Sequence, residues 1–223
     1  VTTLVQRPAA QLMLKPENVA RFDAVLFYDM SGIANAGLVH DDSNDTGQPT
    51  DDYRQSIEAL VASGKGIVML NHATCSWPDW PLWRQIHGSS FMLTEGEVFG
   101  DMVPGSGYAG GHGPLPNPSF TLSPVNASHP VTAGLEDGLT LADEIYLKSN
   151  NFEANVLPLM RSDYDYVSSN FTAPPMAPAE QQEGWSHPKG SNLVVWANAA
   201  KNSPVVASDI GASPGAFENP GFQ

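Results

Sequence analysis

The stretch Lys65-Gly66-Ile67-Val68-Met69-Leu70-Asn71-His72 decides how the rest of the chain is organised. Its apolar run, residues 67–70, is short and unbroken, which is typical of a strand buried on both faces of a parallel sheet. His72 follows directly after that strand. Because ligands of open α/β sheets bind at the carboxyl ends of strands, His72 is a candidate site residue. The alternative is a loop histidine that is satisfied within the protein.

The residues before this strand predict a helix over 51–62. Thr50 is a favourable N-cap, and Asp51 and Asp52 suit the positive end of a helix dipole. The apolar side chains at helical spacing define one buried face and are Tyr53, Ile57, Leu60 and Val61. A second buried-strand run, residues 24–28, precedes the helix, so that strand, helix and strand form one βαβ unit. This run ends at Asp29, which either caps the following turn or faces a ligand.

Composition limits the classes of partner. The chain has 223 residues, a net charge of -14 and a sequence pI of about 4.5, which argue against nucleic-acid binding and against an anionic membrane surface. No stretch is apolar and long enough to span a bilayer. A single cysteine, Cys75, cannot form an intrachain disulfide. The compartment stays open between the cytoplasm and secretion.

Three tryptophans fall within Trp77-Pro78-Asp79-Trp80-Pro81-Leu82-Trp83. Pro81 fits the first turn of a helix that continues to about His87. The indoles predict either packing of this helix on the sheet or a wall on which a sugar ring stacks. We expect packing for two of them and leave one open. Trp77 and Trp80 are therefore candidate substrate-binding residues.

Two acids interrupt the apolar segment Leu139–Leu147, which we interpret as one strand. Asp143 and Glu144 need partners there, because a carboxylate inside an apolar run is costly when unpaired. They are candidate catalytic residues. A long Gly/Pro-rich loop at 94–118 carries Tyr108 and His112, and loops of this length in compact domains are usually functional or mobile. These two are candidate substrate-binding residues.

Other chemistries have weaker signals. No H-x-x-x-H or H-E-x-x-H spacing is present, so no metal ligands are assigned and a divalent metal depends on tertiary convergence alone. Cys75 lacks the small residues of a nucleophile elbow, which favours a buried, inert thiol. No glycine motif for binding phosphate opens a helix.

Several motifs in order resemble the ThuA-like (trehalose utilisation) family. Leu70-Asn71-His72-Ala73, followed by Ser76-Trp77-Pro78-Asp79-Trp80, is similar to the family's Leu-His-His-Ala turn and Trp-containing helix. Further matches cover nearly the whole chain and are Phe27-Tyr28-Asp29-Met30, Ser106-Gly107-Tyr108, His129-Pro130-Val131-Thr132-Ala133-Gly134-Leu135, Asp143-Glu144-Ile145-Tyr146 and Ser203-Pro204-Val205-Val206.

The resemblance implies an α/β fold of the flavodoxin-like, class I glutamine amidotransferase-like type. Its sheet would be mostly parallel, with helices on both faces, long loop insertions and no Cys-His-Glu triad. Residues 1–223 would be a single ThuA-like domain lacking its first strand and last helix. The chain departs from the family pattern at Asn71, which replaces the first histidine of a pair, at His87-Gly88, and at Gly211-Ala212-Ser213-Pro214, where an acid is missing.

Two hypotheses on function follow. In the first, the protein acts on a glycoside or keto-sugar, with His72 as general base or ligand and Glu144 or Asp143 as its acidic partner. The residues expected to bind the carbohydrate are Asp29, Trp77, Trp80, Tyr108 and His112. In the second, it is a non-catalytic carbohydrate-binding module or an assembly component, and a homo-oligomer formed by strand addition is included in that alternative.

Overall fold

A computed structural model describes residues 2–6, 9–33, 47–111 and 113–223. The described residues form six helices, which are α1 (Ala9–Leu14), α2 (Pro16–Val19), α3 (Asp51–Ala62), α4 (Pro81–His87), α5 (Ala179–Gln182) and α6 (Pro214–Glu218). None of these helices is long and apolar enough to cross a lipid bilayer.

Eleven strands alternate with these helices and loops. They are β1 (Ala24–Phe27), β2 (Gly66–Leu70), β3 (Gly96–Val98), β4 (Asp101–Val103), β5 (Gly107–Ala109), β6 (Ser119–Pro124), β7 (Leu139–Ala142), β8 (Ile145–Leu147), β9 (Leu157–Ser162), β10 (Leu193–Ala200) and β11 (Ser203–Ser208). Seven of them form one sheet in the order β1-β2-β11-β10-β9-β6-β7. The remaining four form two small sheets, β3–β4 and β5–β8.

The large sheet is mixed, so the expectation of a mostly parallel sheet is wrong. Only β1–β2 and β2–β11 are parallel, whereas the other four neighbour pairs are antiparallel. The connections explain this. β10 and β11 are joined by residues 201–202 alone, and so short a connection makes an antiparallel hairpin. A parallel pair needs a crossover of a dozen or more residues, which α3 supplies between β1 and β2.

The unit β1-α3-β2 agrees closely with the prediction from sequence. α3 begins and ends where predicted, and the Thr50 hydroxyl accepts a hydrogen bond of 3.3 Å from the backbone N–H of Tyr53. The predicted apolar face of α3 is buried. β1 differs from the prediction, because it lies at the edge of the sheet and only Phe27 is buried. Leu26 is 58% exposed.

Two apolar clusters occupy the two sides of the large sheet. Consecutive side chains of one strand point to opposite faces, and they belong to different clusters. Val205 of β11 belongs to a cluster with residues of α1 to α4, and Val206 packs against the other cluster. That second cluster receives Ala216 from α6 and is otherwise built from strands and loops. Helices therefore cover mainly one side of the sheet.

The predicted strand Leu139–Leu147 is two strands. β7 pairs with β6 in the large sheet, and β8 pairs with β5 in a small one. Asp143 and Glu144 are the residues between β7 and β8, so the two acids mark the point where the chain leaves one sheet for the other. This break places their side chains near the carboxyl end of β2.

Candidate acid–base site

The carboxyl end of β2 continues into a 3-10 turn, Asn71–Cys75, that carries His72. Asn71 begins the turn with φ of 41°, a conformation that few non-glycine residues adopt. Its side-chain amide donates a hydrogen bond of 3.1 Å to the backbone carbonyl of Asp209, just after β11. The turn is thereby tied to the neighbouring strand, and His72 is held at the edge of the sheet.

The structure brings His72 and Glu144 together. His72 Nε2 lies 3.6 Å from Glu144 Oε1, and the two side chains are 32% and 9% exposed. The Tyr146 hydroxyl donates a hydrogen bond of 2.6 Å to the same carboxylate oxygen. Burial, together with nearby Cys75 and Glu144, raises the pKa of Tyr146 well above its ordinary value, so this phenol remains a donor. An oriented carboxylate beside an accessible imidazole can balance charge when the imidazole takes a proton.

Asp143, the other candidate acid, lies in different surroundings. Its side chain is completely buried. Its carboxylate accepts three backbone hydrogen bonds, from Gly211 at 2.6 Å, Ala212 at 3.2 Å and Ser213 at 2.8 Å. Three donors satisfy a buried carboxylate, so Asp143 fixes the loop before α6 and leaves Glu144 as the acid beside His72.

A glycine-rich turn packs directly on Glu144 and on Tyr108. A Cβ on Gly111 would lie 1.6 Å from Glu144 Oε2, and one on Gly113 would lie 2.5 Å from the Tyr108 hydroxyl. Tyr108 also pairs with Tyr146 between β5 and β8. Burial raises the pKa of the Tyr108 hydroxyl, which keeps it protonated at neutral pH. His112, the remaining predicted residue of this turn, lies outside the described residues.

Asp29 behaves mainly as a residue of the turn after β1. Its carboxylate accepts a hydrogen bond of 2.8 Å from the Ser31 hydroxyl, and its backbone carbonyl accepts one of 2.7 Å from the Ser76 hydroxyl. Ser76 directly follows the turn that carries His72, so Asp29 joins the ends of β1 and β2. Tyr28 beside it was not among the predicted site residues, and its ring centroid lies 6.0 Å from that of His72.

Trp77 and Trp80 do not form a wall for a sugar ring, since they are 1% and 4% exposed. Trp80 stacks on Trp83, with planes 18° apart, and Tyr53 of α3 contacts both Trp77 and Trp80. The Trp83 indole N–H donates a hydrogen bond of 2.9 Å to the carbonyl of Ala73. All three indoles belong to one apolar core cluster, and Trp83 also supports the turn that carries His72.

A buried ion pair lies behind the site and gave only a weak sequence signal, a lysine that directly follows the apolar residues of β8. Lys148 Nζ lies 2.6 Å from Asp209 Oδ2, with both side chains 3% exposed. The Thr74 hydroxyl donates a hydrogen bond of 3.0 Å to the same carboxylate. Burial raises the pKa of the adjacent Cys75 thiol far above its usual range, which fits the predicted inert thiol.

Metal ligands do not converge in the part of the chain that the structure describes. No three of its His, Cys, Asp and Glu side chains are grouped so that they could hold a metal ion. The His72–Glu144 pair would supply two ligands at most, fewer than protein metal sites usually provide.

Comparison with solved structures shows which proteins share this fold. A ThuA-like protein from Bacteroides uniformis aligns with a TM-score of 0.57 and 15% identity, over 94% of this chain and 68% of that one. A ThuA-like protein from Parabacteroides merdae aligns with a TM-score of 0.50 and 16% identity, over 96% and 77%. A cytoplasmic protein from Salmonella typhimurium has a TM-score of 0.52 and 11% identity, over 92% and 69%.

Comparison with curated protein sequences gives no match. The model of one protein family, in contrast, matches residues 2–223. This match extends over nearly the whole chain and agrees with the fold of the ThuA-like structures. The chain therefore belongs to the ThuA family, whose description is trehalose utilisation.

Proposed function

We propose that the protein is an acid–base enzyme that acts on a keto-sugar or a related glycoside, with His72 as the proton-transferring group and Glu144 as its partner. Membership of the ThuA family suggests a role in trehalose utilisation. The observation that supports the proposal is the 3.6 Å approach of His72 Nε2 to Glu144 Oε1 just beyond the carboxyl end of β2, the kind of position at which open α/β sheets commonly bind ligands.

The surroundings favour proton abstraction over glycoside hydrolysis. Most glycosidases place two carboxyl groups on either side of the bond that breaks. Here the second acid, Asp143, is buried and occupied by three backbone N–H groups. One carboxylate paired with one imidazole suits removal of a proton from a carbon next to a carbonyl group.

In the proposed reaction, His72 Nε2 removes that proton and the electrons of the C–H bond form a carbon–carbon double bond. The carbonyl oxygen becomes an enolate oxygen, which needs a hydrogen-bond donor. The phenol of Tyr28 is the proposed donor, because its ring centroid lies 6.0 Å from that of His72. Burial raises its pKa, so the hydroxyl keeps its proton at neutral pH. Glu144 balances the charge of the imidazolium. Return of the proton completes an isomerisation or epimerisation with no net change of atoms.

Solvent exchange tests the proposal. The wild-type protein is incubated in D₂O with keto derivatives of trehalose, and incorporation of deuterium next to the carbonyl is followed by NMR. We expect exchange in the wild type and a loss of roughly 100-fold or more in His72→Ala. His129→Ala is the matched control, since His129 is also half-buried but is the N-cap of the turn Pro130–Thr132. Equal exchange in wild type and His72→Ala would contradict the proposal.

The second hypothesis, a carbohydrate-binding module, predicts a different result of the same experiment. Binding of trehalose without exchange in any keto derivative supports that module. An assembly role draws support from β1, which is the edge strand of the sheet among the described residues and carries the exposed Leu26, since such a strand can pair with another chain.

A further inference from the structure

Two aromatic side chains lie half exposed beside the acid–base pair. Tyr28, directly after β1, is 40% exposed, and Phe217 of α6 is 41% exposed. Their ring centroids are 5.9 Å apart and their planes meet at 88°. Two rings at this angle form an aromatic corner, and each ring keeps part of its apolar surface exposed.

Tyr28 connects the aromatic corner to the acid–base pair. Its ring centroid lies 6.0 Å from that of His72 and 5.9 Å from that of Phe217. The charges of Asp143 and Glu144 both act on its hydroxyl, although burial has the larger effect on its pKa. The apolar rings and the polar groups of His72 and Glu144 are therefore neighbours at one edge of the sheet.

We propose that Tyr28 and Phe217 form the platform that binds the apolar C–H face of a sugar ring and turns its hydroxyl edge towards His72 and Glu144. The proposal rests on the proposed function for the choice of site and adds the substrate feature that the site recognises. A pyranose is amphipathic in this way, with C–H groups on its faces and hydroxyls around its rim. Small-molecule sites commonly combine an aromatic surface with a few placed polar groups.

The platform is built into the fold by Asp143. The three N–H groups that this carboxylate accepts belong to residues 211–213, and the Ser213 hydroxyl in turn accepts from Ala216 in the first turn of α6. On the far side of α6, the Phe222 ring meets Phe217 edge-on, with centroids 5.4 Å apart. Phe217 is thus fixed from both ends of the helix, and Asp143 is a positioning residue for the platform.

Binding of trehalose and of glucose, measured by calorimetric titration, tests the platform without reference to turnover. We expect Phe217→Ala to weaken binding roughly 3- to 10-fold and Phe217→Trp to retain it. Phe99→Ala is the matched control, because Phe99 is 40% exposed but lies between β3 and β4. In a keto-sugar assay, Phe217→Ala should raise KM, whereas His72→Ala should lower kcat.

A recess lined by other residues is the alternative place where a sugar could bind, and the experiment must separate it from the platform. It has a volume of about 480 Å³ and is lined by residues that include Asp163, Tyr164 and Lys189. The proposal is overturned if Tyr164→Ala abolishes sugar binding while Phe217→Ala and Tyr28→Ala leave it unchanged. It is also overturned if the wild type binds neither sugar at high millimolar concentration. Turnover that depends on His72 but not on Phe217 would refute the platform alone, and binding that depends on Phe217 without turnover would refute catalysis alone.

Discussion

Asp143 and Glu144 are adjacent buried acids between β7 and β8, yet their surroundings differ in kind. Asp143 accepts three backbone N–H groups and joins two distant segments of the chain. Glu144 accepts from the Tyr146 hydroxyl and faces an imidazole that is 32% exposed. The difference teaches that the partners of a buried acid, and not its burial, separate a structural carboxylate from one available for chemistry.

The largest expected difference between the two acids follows from replacing each carboxylate by its amide. Glu144→Gln should lower kcat for a keto-sugar roughly 100- to 10,000-fold, because a neutral amide cannot balance an imidazolium. Asp143→Asn should instead lower the free energy of unfolding by about 1 to 3 kcal/mol, because the amide N–H₂ faces backbone donors. Steady-state kinetics and urea unfolding of both variants give the two measurements. A large loss of kcat in folded Asp143→Asn, with Glu144→Gln unaffected, would reverse the assignment.

A smaller effect should follow from crowding Glu144 without changing its charge. Gly111→Ala places a methyl group against Glu144 Oε2, where an ideal Cβ would be 1.6 Å away. We expect kcat to fall roughly 10- to 100-fold, since small displacements of a reacting group are costly. Gly184→Ala is the matched control, because its φ of 68° resembles the 61° of Gly111 and no atom lies within 4 Å of its added Cβ.

Both glycine variants should lose about 1 kcal/mol of stability from the left-handed backbone, as measured by urea unfolding. Only Gly111→Ala should lose activity in the folded protein. Equal losses of activity in the two variants would show that backbone strain, and not contact with Glu144, is responsible.

The smallest expected effect concerns a buried histidine and the dependence of stability on pH. His87 is buried, and burial, followed by the charges of Lys148 and Arg84, lowers its pKa well below the ordinary value. Below about pH 6.5 this histidine binds a proton in the unfolded chain but stays neutral in the folded one. The free energy of unfolding therefore decreases as the pH falls. The loss should approach about 1.4 kcal/mol per pH unit.

Urea unfolding at about pH 7 and about pH 5 checks this, with His87→Gln as the variant. The variant should show a shallower loss of stability between the two conditions than the wild type. Identical slopes would mean that His87 does not govern the acid sensitivity of the fold.

Local signals predicted the first half of the chain well. The signals there are local, because each lies within a few residues of the element that it predicts. They are the cap at Thr50, the apolar face of α3 and the short apolar run of β2. The Trp-rich segment was predicted as a helix, and α4 spans Pro81–His87 as expected. Packing was expected for two of its three indoles, and all three are buried. Which of them would be buried could not be predicted, because exposed and buried aromatic residues have the same spacing in sequence.

The site depends on contacts that sequence spacing does not encode. Asp143 finds its partners 68 to 70 residues later, and those hydrogen bonds explain why an apolar segment breaks into two strands there. Tyr28 and Phe217 lie far apart in sequence and meet only through the fold. Tyr146, Lys148 and Asp209 were missed for the same reason. His72 and Glu144 were predicted individually, and the fold places Glu144, rather than Asp143, within 3.6 Å of His72.

The hydrogen bonds from residues 211–213 to Asp143 also have a consequence for biosynthesis. During translation, β7 and β8 leave the ribosome before these donors have been made, and until then Asp143 has no backbone partners of this set. Glu144 can reach its final position, and Phe217 can pack beside Tyr28, only after residues 211–217 have been synthesised. Ligand recognition is therefore expected only after residues 211–217 have been made.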